Sequence, residues 1–236
     1  MKRSTNRILT THVGSLVRPT EIVQIIQGKE DGTPYTPDQA ALIKRTVAEG
    51  LKLQAESGID IPSDGEYSKA GFSAYVTDRL TGFEYRTDLP NRGGGTTRSR
   101  DRTRFKDAYA EIEAPRPGPI AESGRTQSMP FRGYAMCTGP ISFRGEAAVQ
   151  NDIDNFKAGM QGLNFEEAFI PAIAPATVEL QRANHYYKTE EEFLFAIADA
   201  MKTEYKMIID AGFVLQIDDP RIVTEWDSFD PAPTAE

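Results

Sequence analysis

The stretch Gly58-Ile-Asp-Ile-Pro-Ser-Asp-Gly-Glu-Tyr-Ser-Lys69 sets the terms for the rest of the chain. A glycine suited to closing a helix in the left-handed conformation leads into a short strand built on Ile59 and Ile61. Where that strand stops, Asp64, Gly65, Glu66 and Lys69 crowd together. The same order recurs at Gly212, then Phe213-Val-Leu-Gln-Ile217, then Asp218-Asp219-Pro220. In both copies the first carboxylate after the strand stands six residues beyond the glycine. A helix that returns through a short link into a buried strand is the repeating unit of a parallel α/β protein. In such proteins ligand sites gather at the C-terminal ends of the strands. Two strands delivering acids to one rim describe a site, although Asp64 and Asp218 could also cap loops or pair with arginines.

Other segments extend the pattern. Ile8-Leu-Thr-Thr-His-Val-Gly-Ser15 is a β-branched run with its polar end at His12 to Ser15. There Gly14 permits close approach of backbone to a ligand, and Ser15 offers a hydroxyl and an N–H. Thr36-Pro37-Asp38-Gln39 is a helix start with a capping box, and Ala40, Ile43, Val47 and Leu51 then form one apolar face. Thr189 to Glu192 is a second capping box, opening a helix that buries Phe193, Ile197, Met201 and Ile208. A further helix is expected over about 151–167. Strands are expected at Ile8–Thr11, Asp60–Ser63, Ala135–Thr138, Phe169–Ala172 and Val214–Asp218, all parallel, with the prolines of the fourth at its ends or in a bulge. From about 82 to 133 the texture changes to a glycine-rich tip at 91–97, then Arg98, Arg100, Arg102 and Arg104, then Pro115, Pro117 and Pro119. Alternation places the four arginines on one face of a strand, so this reads as an inserted β-ribbon or lid. The expected architecture is one α/β domain over residues 1–236, either an open sheet or an incomplete barrel. A closed (β/α)₈ barrel with such an insertion needs more than about 300 residues.

Composition narrows function. The net charge of −8 argues against non-specific nucleic-acid binding, and no apolar run approaches the roughly 18–20 residues that span a bilayer. The basic start Met1-Lys-Arg-Ser-Thr-Asn-Arg-Ile8 lacks an apolar signal core, and a single cysteine, Cys137, fits a reducing cytoplasm. One cysteine and two histidines also make the chain poor in soft metal ligands. Cys137, inside a strand, reads as a small packed apolar residue, and His185 as structural.

Four strand ends, Thr11-His-Val-Gly-Ser-Leu-Val-Arg-Pro19, Asp64-Gly-Glu-Tyr67, Thr138-Gly-Pro140 and Leu215-Gln-Ile-Asp-Asp-Pro220, occur in the order found in one family. Together they resemble the cobalamin-independent methionine synthases, particularly the small single-barrel paralogues, and match their N-terminal portion. The resemblance implies a TIM barrel of the methionine synthase and uroporphyrinogen decarboxylase kind, incomplete at about five βα units. It also implies zinc that activates a thiol for methyl transfer from a folate, and an amino-acid substrate held by Val13, Gly14, Ser15, Glu66 and Asp218. Those roles suit the residues. An ammonium such as that of homocysteine needs carboxylates, which Glu66 and Asp218 supply, and its carboxylate needs donors, which the Gly14–Ser15 backbone offers. His12 stands where methionine synthases usually carry threonine and is either a substrate contact or a structural histidine.

The departures matter as much. The family's zinc ligands follow the fifth strand as a His-x-Cys pair, an acid and a further cysteine, and this chain contains none of them. Phe143-Arg-Gly-Glu146 stands where methionine synthases place a folate-stacking tryptophan. The chain alone is therefore expected neither to bind catalytic zinc nor to transfer methyl groups. Two alternatives stay open: a zinc-independent carboxylate and arginine barrel enzyme resembling uroporphyrinogen decarboxylase, or a truncated non-catalytic binding protein. Expected partners are a small thiol or amino acid, with self-association possible through an unpaired sheet edge and neither nucleic acid nor membrane involved.

Overall fold

The computed structural model describes residues 1–30, 32–86, 100–113 and 134–229, together with Pro231 and Thr234. In chain order it runs α1 (Thr20–Gly28), α2 (Pro37–Glu56), α3 (Tyr75–Arg79), β1 (Phe83–Arg86), α4 (Arg100–Arg104), α5 (Lys106–Glu113) and β2 (Tyr134–Cys137). It continues with α6 (Glu146–Gly159), β3 (Phe169–Ile173), α7 (Pro175–Leu180), β4 (Ala183–Asn184), α8 (Glu190–Asp210), β5 (Val214–Asp218) and α9 (Arg221–Ser228). The fold is mixed α/β, with a parallel row that does not close into a barrel among the described residues.

The helix starts follow from local chemistry. At α2 the Thr36 hydroxyl accepts from Gln39 N–H and Gln39 Oε1 accepts from Thr36 N–H, a complete capping box. At α8 Thr189 accepts from Glu192 N–H, but the Glu192 carboxylate reaches one residue further, to Lys188 N–H. The apolar faces read from the spacing are buried, with Ile43, Val47 and Leu51 on α2 and Phe193, Ile197, Met201 and Ile208 on α8. Gly58 adopts φ 76°, the left-handed turn that lets α2 end and the chain reverse into its strand. The helix expected over 151–167 lies earlier, at Glu146–Gly159, because the chain turns at Gly162 with φ 80°.

The parallel row holds four segments rather than five. Thr11 bridges Ile61, Ser63 bridges Phe169, and β3 pairs in parallel with β5 from Phe169↔Val214 to Ile173↔Asp218. The first expected strand shrinks to its last residue, because Thr10 is held instead by Asp60, whose carboxylate accepts from Thr10 N–H and Oγ1. Pro62 splits the second, so Ile61 and Ser63 pair to opposite sides. The expected third strand is not in the row at all. Its residues form β2, which pairs antiparallel with β1 and parallel with the two-residue β4. An apolar run such as Tyr134-Ala-Met-Cys137 buries itself equally well against either partner, and here it pairs across the insertion with the ribbon's other arm, Phe83–Arg86.

The insertion is thus bracketed by a ribbon, but Arg100, Arg102 and Arg104 lie on the helix α4, not on a strand. Arg98, the glycine-rich tip and Pro115, Pro117 and Pro119 fall outside the described residues. Helix α4 docks on α9, where Arg100 donates to Trp226 O and Asp101 N–H donates to the Asp227 carboxylate.

Strand β3 is buried along its whole length. Bonds from Val214 N–H to Ala168 O and from Ala174 N–H to Asp218 O show that its even-numbered residues face β5. The odd-numbered edge meets a strand only at Phe169, whose N–H donates to Pro62 O. Beyond that point side chains replace a strand. Lys69 Nζ donates to Pro171 O at 2.6 Å, Ile173 N–H donates to Tyr75 Oη at 3.2 Å, and Tyr205 Oη donates to Ile173 O at 2.5 Å. Pro171 therefore sits in mid-strand rather than at an end or bulge, in register with Gln216. Its missing N–H lies on the edge where no strand asks for one.

Candidate functional site

The loops after the first two strands of the row are tied together before any side chain reaches a ligand. Ser63 Oγ accepts from Gly65 N–H and Asp64 Oδ1 accepts from Glu66 N–H, two local turns that fold the segment back on itself. Leu16 N–H donates to Gly65 O, and Arg18 donates to Glu66 O at 3.0 Å and to Ser15 Oγ at 3.2 Å. Glu66 takes the left-handed conformation, φ 57°, as the only non-glycine residue described to do so. For a side chain with a Cβ that geometry costs about 1–2 kcal/mol, and it recurs where a functional group must be aimed.

Glu66 is 2% exposed, and its carboxylate accepts from Ser15 Oγ at 2.5 Å. It lines a narrow cleft with Lys69, Phe72, Tyr75, Pro171, Ala172, Ile173 and Asp218. Asp218 arrives at the end of β5 in register with Ile173. Its neighbour Asp219 is turned away to accept from Thr177 Oγ1 at 2.8 Å, so only one carboxylate of the pair meets the cleft. Partial burial and the charges of Glu66 and Asp219 push the Asp218 carboxyl above its ordinary range. Glu66 and Asp218 thus line the same narrow, nearly closed cleft beside apolar walls, and carboxylates so placed favour a cation.

Of the residues singled out from the sequence, the structure brings Ser15, Glu66 and Asp218 together. Val13 is 60% exposed, and neither it nor Gly14, at φ 93°, lines the cleft. His12 is half-buried, with an Nε2 that has no hydrogen-bond partner among the described residues. Asp64 is buried behind the cleft. Burial pushes its carboxyl up, and the Lys69 ammonium 3.9 Å away opposes that shift. Lys69 and Phe72 enter from the turn after the second strand, and Tyr75 from the first residue of α3. Only Lys69 left a trace in the sequence, as one more charge in the polar cluster at the strand's end.

A second polar layer lies behind Tyr75. Arg79 donates to Glu204 at 2.7 Å and also to Asp152, which accepts from Ser68 Oγ as well. Arg79, Asp152 and Glu204 are all buried. The Arg79 guanidinium lies 4.7 Å from the Tyr75 ring centroid and Lys69 Nζ lies 4.9 Å from it, so the tyrosine is held by two cations.

Among the described residues no three histidine, cysteine, aspartate or glutamate side chains converge as a metal ion would require. Cys137 is buried in β2, with its Sγ on Gly139 O, and does not line the cleft. No helix among the described residues is long and apolar enough to cross a membrane.

No protein-family model matches the chain. A methionine synthase of Thermococcus kodakarensis is 23% identical over 219 residues, covering 92% of this chain and 54% of that protein. One from Sulfolobus acidocaldarius is 24% identical over 223 residues, with the same two shares. Among solved structures, a B12-independent methionine synthase from a Shewanella species in complex with selenomethionine superposes with TM-score 0.58 at 19% identity. That match covers 92% of this chain and 55% of the other. A putative vitamin-B12-independent methionine synthase from Listeria monocytogenes gives 0.54 at 20% identity, covering 91% and 53%. The chain spans about half the length of the relatives it matches. The resemblance to cobalamin-independent methionine synthases carried by the four strand-end motifs thus extends over nearly the whole chain and fits their N-terminal portion.

Proposed function

We propose that this chain is the amino-acid-binding part of a methionine synthase-like methyltransferase, built on an incomplete (β/α)₈-type barrel. Its ligand is a small sulfur amino acid, homocysteine or methionine, bound through its ammonium. The observation that carries this reading is the convergence of Glu66 and Asp218 on one cleft with apolar walls. Ser15 aims the Glu66 carboxylate, and the left-handed backbone at Glu66 turns it inward. The selenomethionine bound to the structurally similar Shewanella protein supports a thioether amino acid as the ligand class.

The chain's own residues bind and orient. The ammonium donates to Glu66 and Asp218, and the side chain of the amino acid lies along Phe72, Tyr75 and Ala172. Thiol activation by zinc, which the resemblance implies for complete relatives, needs ligands that do not converge here, so no transfer step is assigned to these residues. We expect the 236-residue chain to bind the amino acid without methylating it.

Titration calorimetry with methionine and homocysteine tests the proposal. Glu66→Gln keeps the size of the side chain but removes its charge. It should weaken binding by about 10- to 100-fold, the worth of a charge-assisted hydrogen bond, with an unchanged circular dichroism spectrum. Equal affinity in the wild type and the variant would remove Glu66 from ammonium recognition.

A further inference from the structure

The cleft is nearly closed, with no room in it for a water molecule, let alone an amino acid. For Glu66 and Asp218 to receive an ammonium there, a wall must move, and the structure limits which one can. Pro171, Ala172 and Ile173 belong to a strand buried throughout and paired with β5, and the Asp218 backbone is held by that pairing in register with Ile173. The backbone at Glu66 is fixed by Asp64 Oδ1 on its N–H and by Lys69 N–H and Arg18 on its carbonyl. Lys69 and Tyr75 are buried, and their side chains are tied to β3 at Pro171 O and Ile173 N–H. Phe72 remains. It is 37% exposed, whereas the other wall residues are buried or half-buried. Its segment is also loosely held. No N–H over residues 70–74 has a hydrogen-bond partner among the described residues. Gly71 O accepts from Tyr75 N–H at 3.4 Å, and Ser73 O accepts from Arg182 at 3.1 Å. Gly71 stands in open space, where a Cβ would meet nothing nearer, outside its chain neighbours, than Ala74 Cβ at 4.0 Å.

We infer that segment 70–74 is the gate of the cleft, hinged at Lys69 and Tyr75, and that the Phe72 ring is the wall that swings outward to admit the ligand and then closes over its side chain. This rests on the amino-acid reading above and adds how the site opens. Both hinges stay on β3 through their side chains, so the gate moves without disturbing the two carboxylates. Segments with solvent-facing backbone groups and few buried contacts open at little cost, on the microsecond to millisecond scale. While the closed form dominates, association is slowed in proportion to the open fraction.

Rates of methionine association and dissociation, from NMR line shapes of the ¹⁵N-labelled chain, test the gate with two variants of opposite sign. Phe72→Ala removes the ring, and association should quicken by about 10-fold or more, since a minor open form is populated at about 10% or less. Gly71→Ala fits the closed form but restricts the backbone, which costs the freer open form more. It should slow association by about two- to five-fold with the ring still in place. A Phe72 that only packs against the ligand would speed dissociation in Phe72→Ala and leave association unmoved. A further measurement needs no variant: amides of 70–74 should exchange hydrogen faster than those of β3 in the free chain, and slow when methionine binds. An association rate unmoved in either variant, or a segment as protected as β3, would overturn the gate. Methionine binding to Phe72→Ala but not to the wild type would support it as a gate that stays shut. Binding to neither would overturn the amino-acid reading itself, and this inference with it.

Discussion

Glu66 combines a buried carboxylate with a backbone that side chains rarely adopt, and the two costs can be separated. Replacing it by alanine or by glycine deletes the same carboxylate and the same bond from Ser15. The two variants then differ only in whether a Cβ must sit at φ 57°. Glu66→Gly should therefore be more stable than Glu66→Ala by about 1 kcal/mol in urea denaturation, the reverse of the order in a helix or strand. Asp218 makes a prediction in pH. Its carboxyl is pushed up by burial and by Glu66 and Asp219, so ammonium binding should begin to weaken on acidification above the ordinary carboxylate value of about 4. Stability without ligand runs the other way. A raised folded pKa means that Asp218 contributes stability below its unfolded pKa, and this is lost as pH rises through the folded value. Calorimetry across the acidic range checks the first, and urea melts of the wild type against Asp218→Asn check the second. Asp218 was legible in the sequence because, like Asp64, it is the first carboxylate after an apolar strand, six residues beyond a glycine, and Glu66 because it stands in the polar cluster that begins at Asp64. Lys69 was legible only as one more charge in that cluster, and Phe72 and Tyr75 not at all, because the turn after the strand and the short helix α3 that Tyr75 opens carry no period that says which side chain faces inward.

At the scale of elements, the sequence spoke clearly wherever one segment's own chemistry decided its form, and less so wherever a partner did. The capping box at Thr36, the side-chain cap at Thr189, the buried faces of α2 and α8, and the glycine turns at Gly58 and Gly212 are local, and each is present, although Glu192 closes its half of the second box on Lys188 instead. Strand pairing is not local. The run at Tyr134–Cys137 reads as a strand in any register, and only the fold shows it joining the ribbon instead of the parallel row. Arg100 and Arg104 are four apart and Arg100 and Arg102 two apart, so their spacing fits a helix turn as well as a strand face. The side-chain edge on β3 was invisible for the same reason, since it is assembled from Lys69, Tyr75 and Tyr205 on three separate segments. Behind it, the Arg79 network offers a measurable consequence. Arg79→Met leaves Asp152 and Glu204 buried without their cation and should cost about 3–5 kcal/mol. Adding Asp152→Asn and Glu204→Gln should return most of that loss, because the penalty lies in the orphaned charges rather than in the missing contact. Urea denaturation of the single and triple variants would separate the two. An equally unstable triple variant would mean that Arg79 acts through packing instead.

The molecule as a whole is asymmetric about β3. On one side lie the bridges to Ser63 and Thr11 and the side-chain edge, and on the other lies β5 alone. No described strand pairs with the outer edge of β5, and Ile217 on that strand is 52% exposed, whereas β3 is buried throughout. Val223 and Trp226 on the following helix and Phe229 just beyond it are exposed as well, so apolar surface continues past the strand. A row of unpaired backbone donors and acceptors beside apolar side chains is a template for another strand. The relatives, nearly twice as long, have further chain with which to meet such an edge. The 236-residue chain is therefore expected to self-associate in a concentration-dependent way, with light scattering after size exclusion showing species above the monomer mass. Ile217→Lys places a charge on the edge and removes its exposed apolar contact, the device by which natural edge strands resist pairing. That substitution should shift the distribution toward monomer and leave the helical circular dichroism signal unchanged, because Ile217 is already half exposed to solvent. A chain that stays monomeric as its concentration rises, or a lysine variant that associates as strongly as the wild type, would show that β5 is not the adhesive edge.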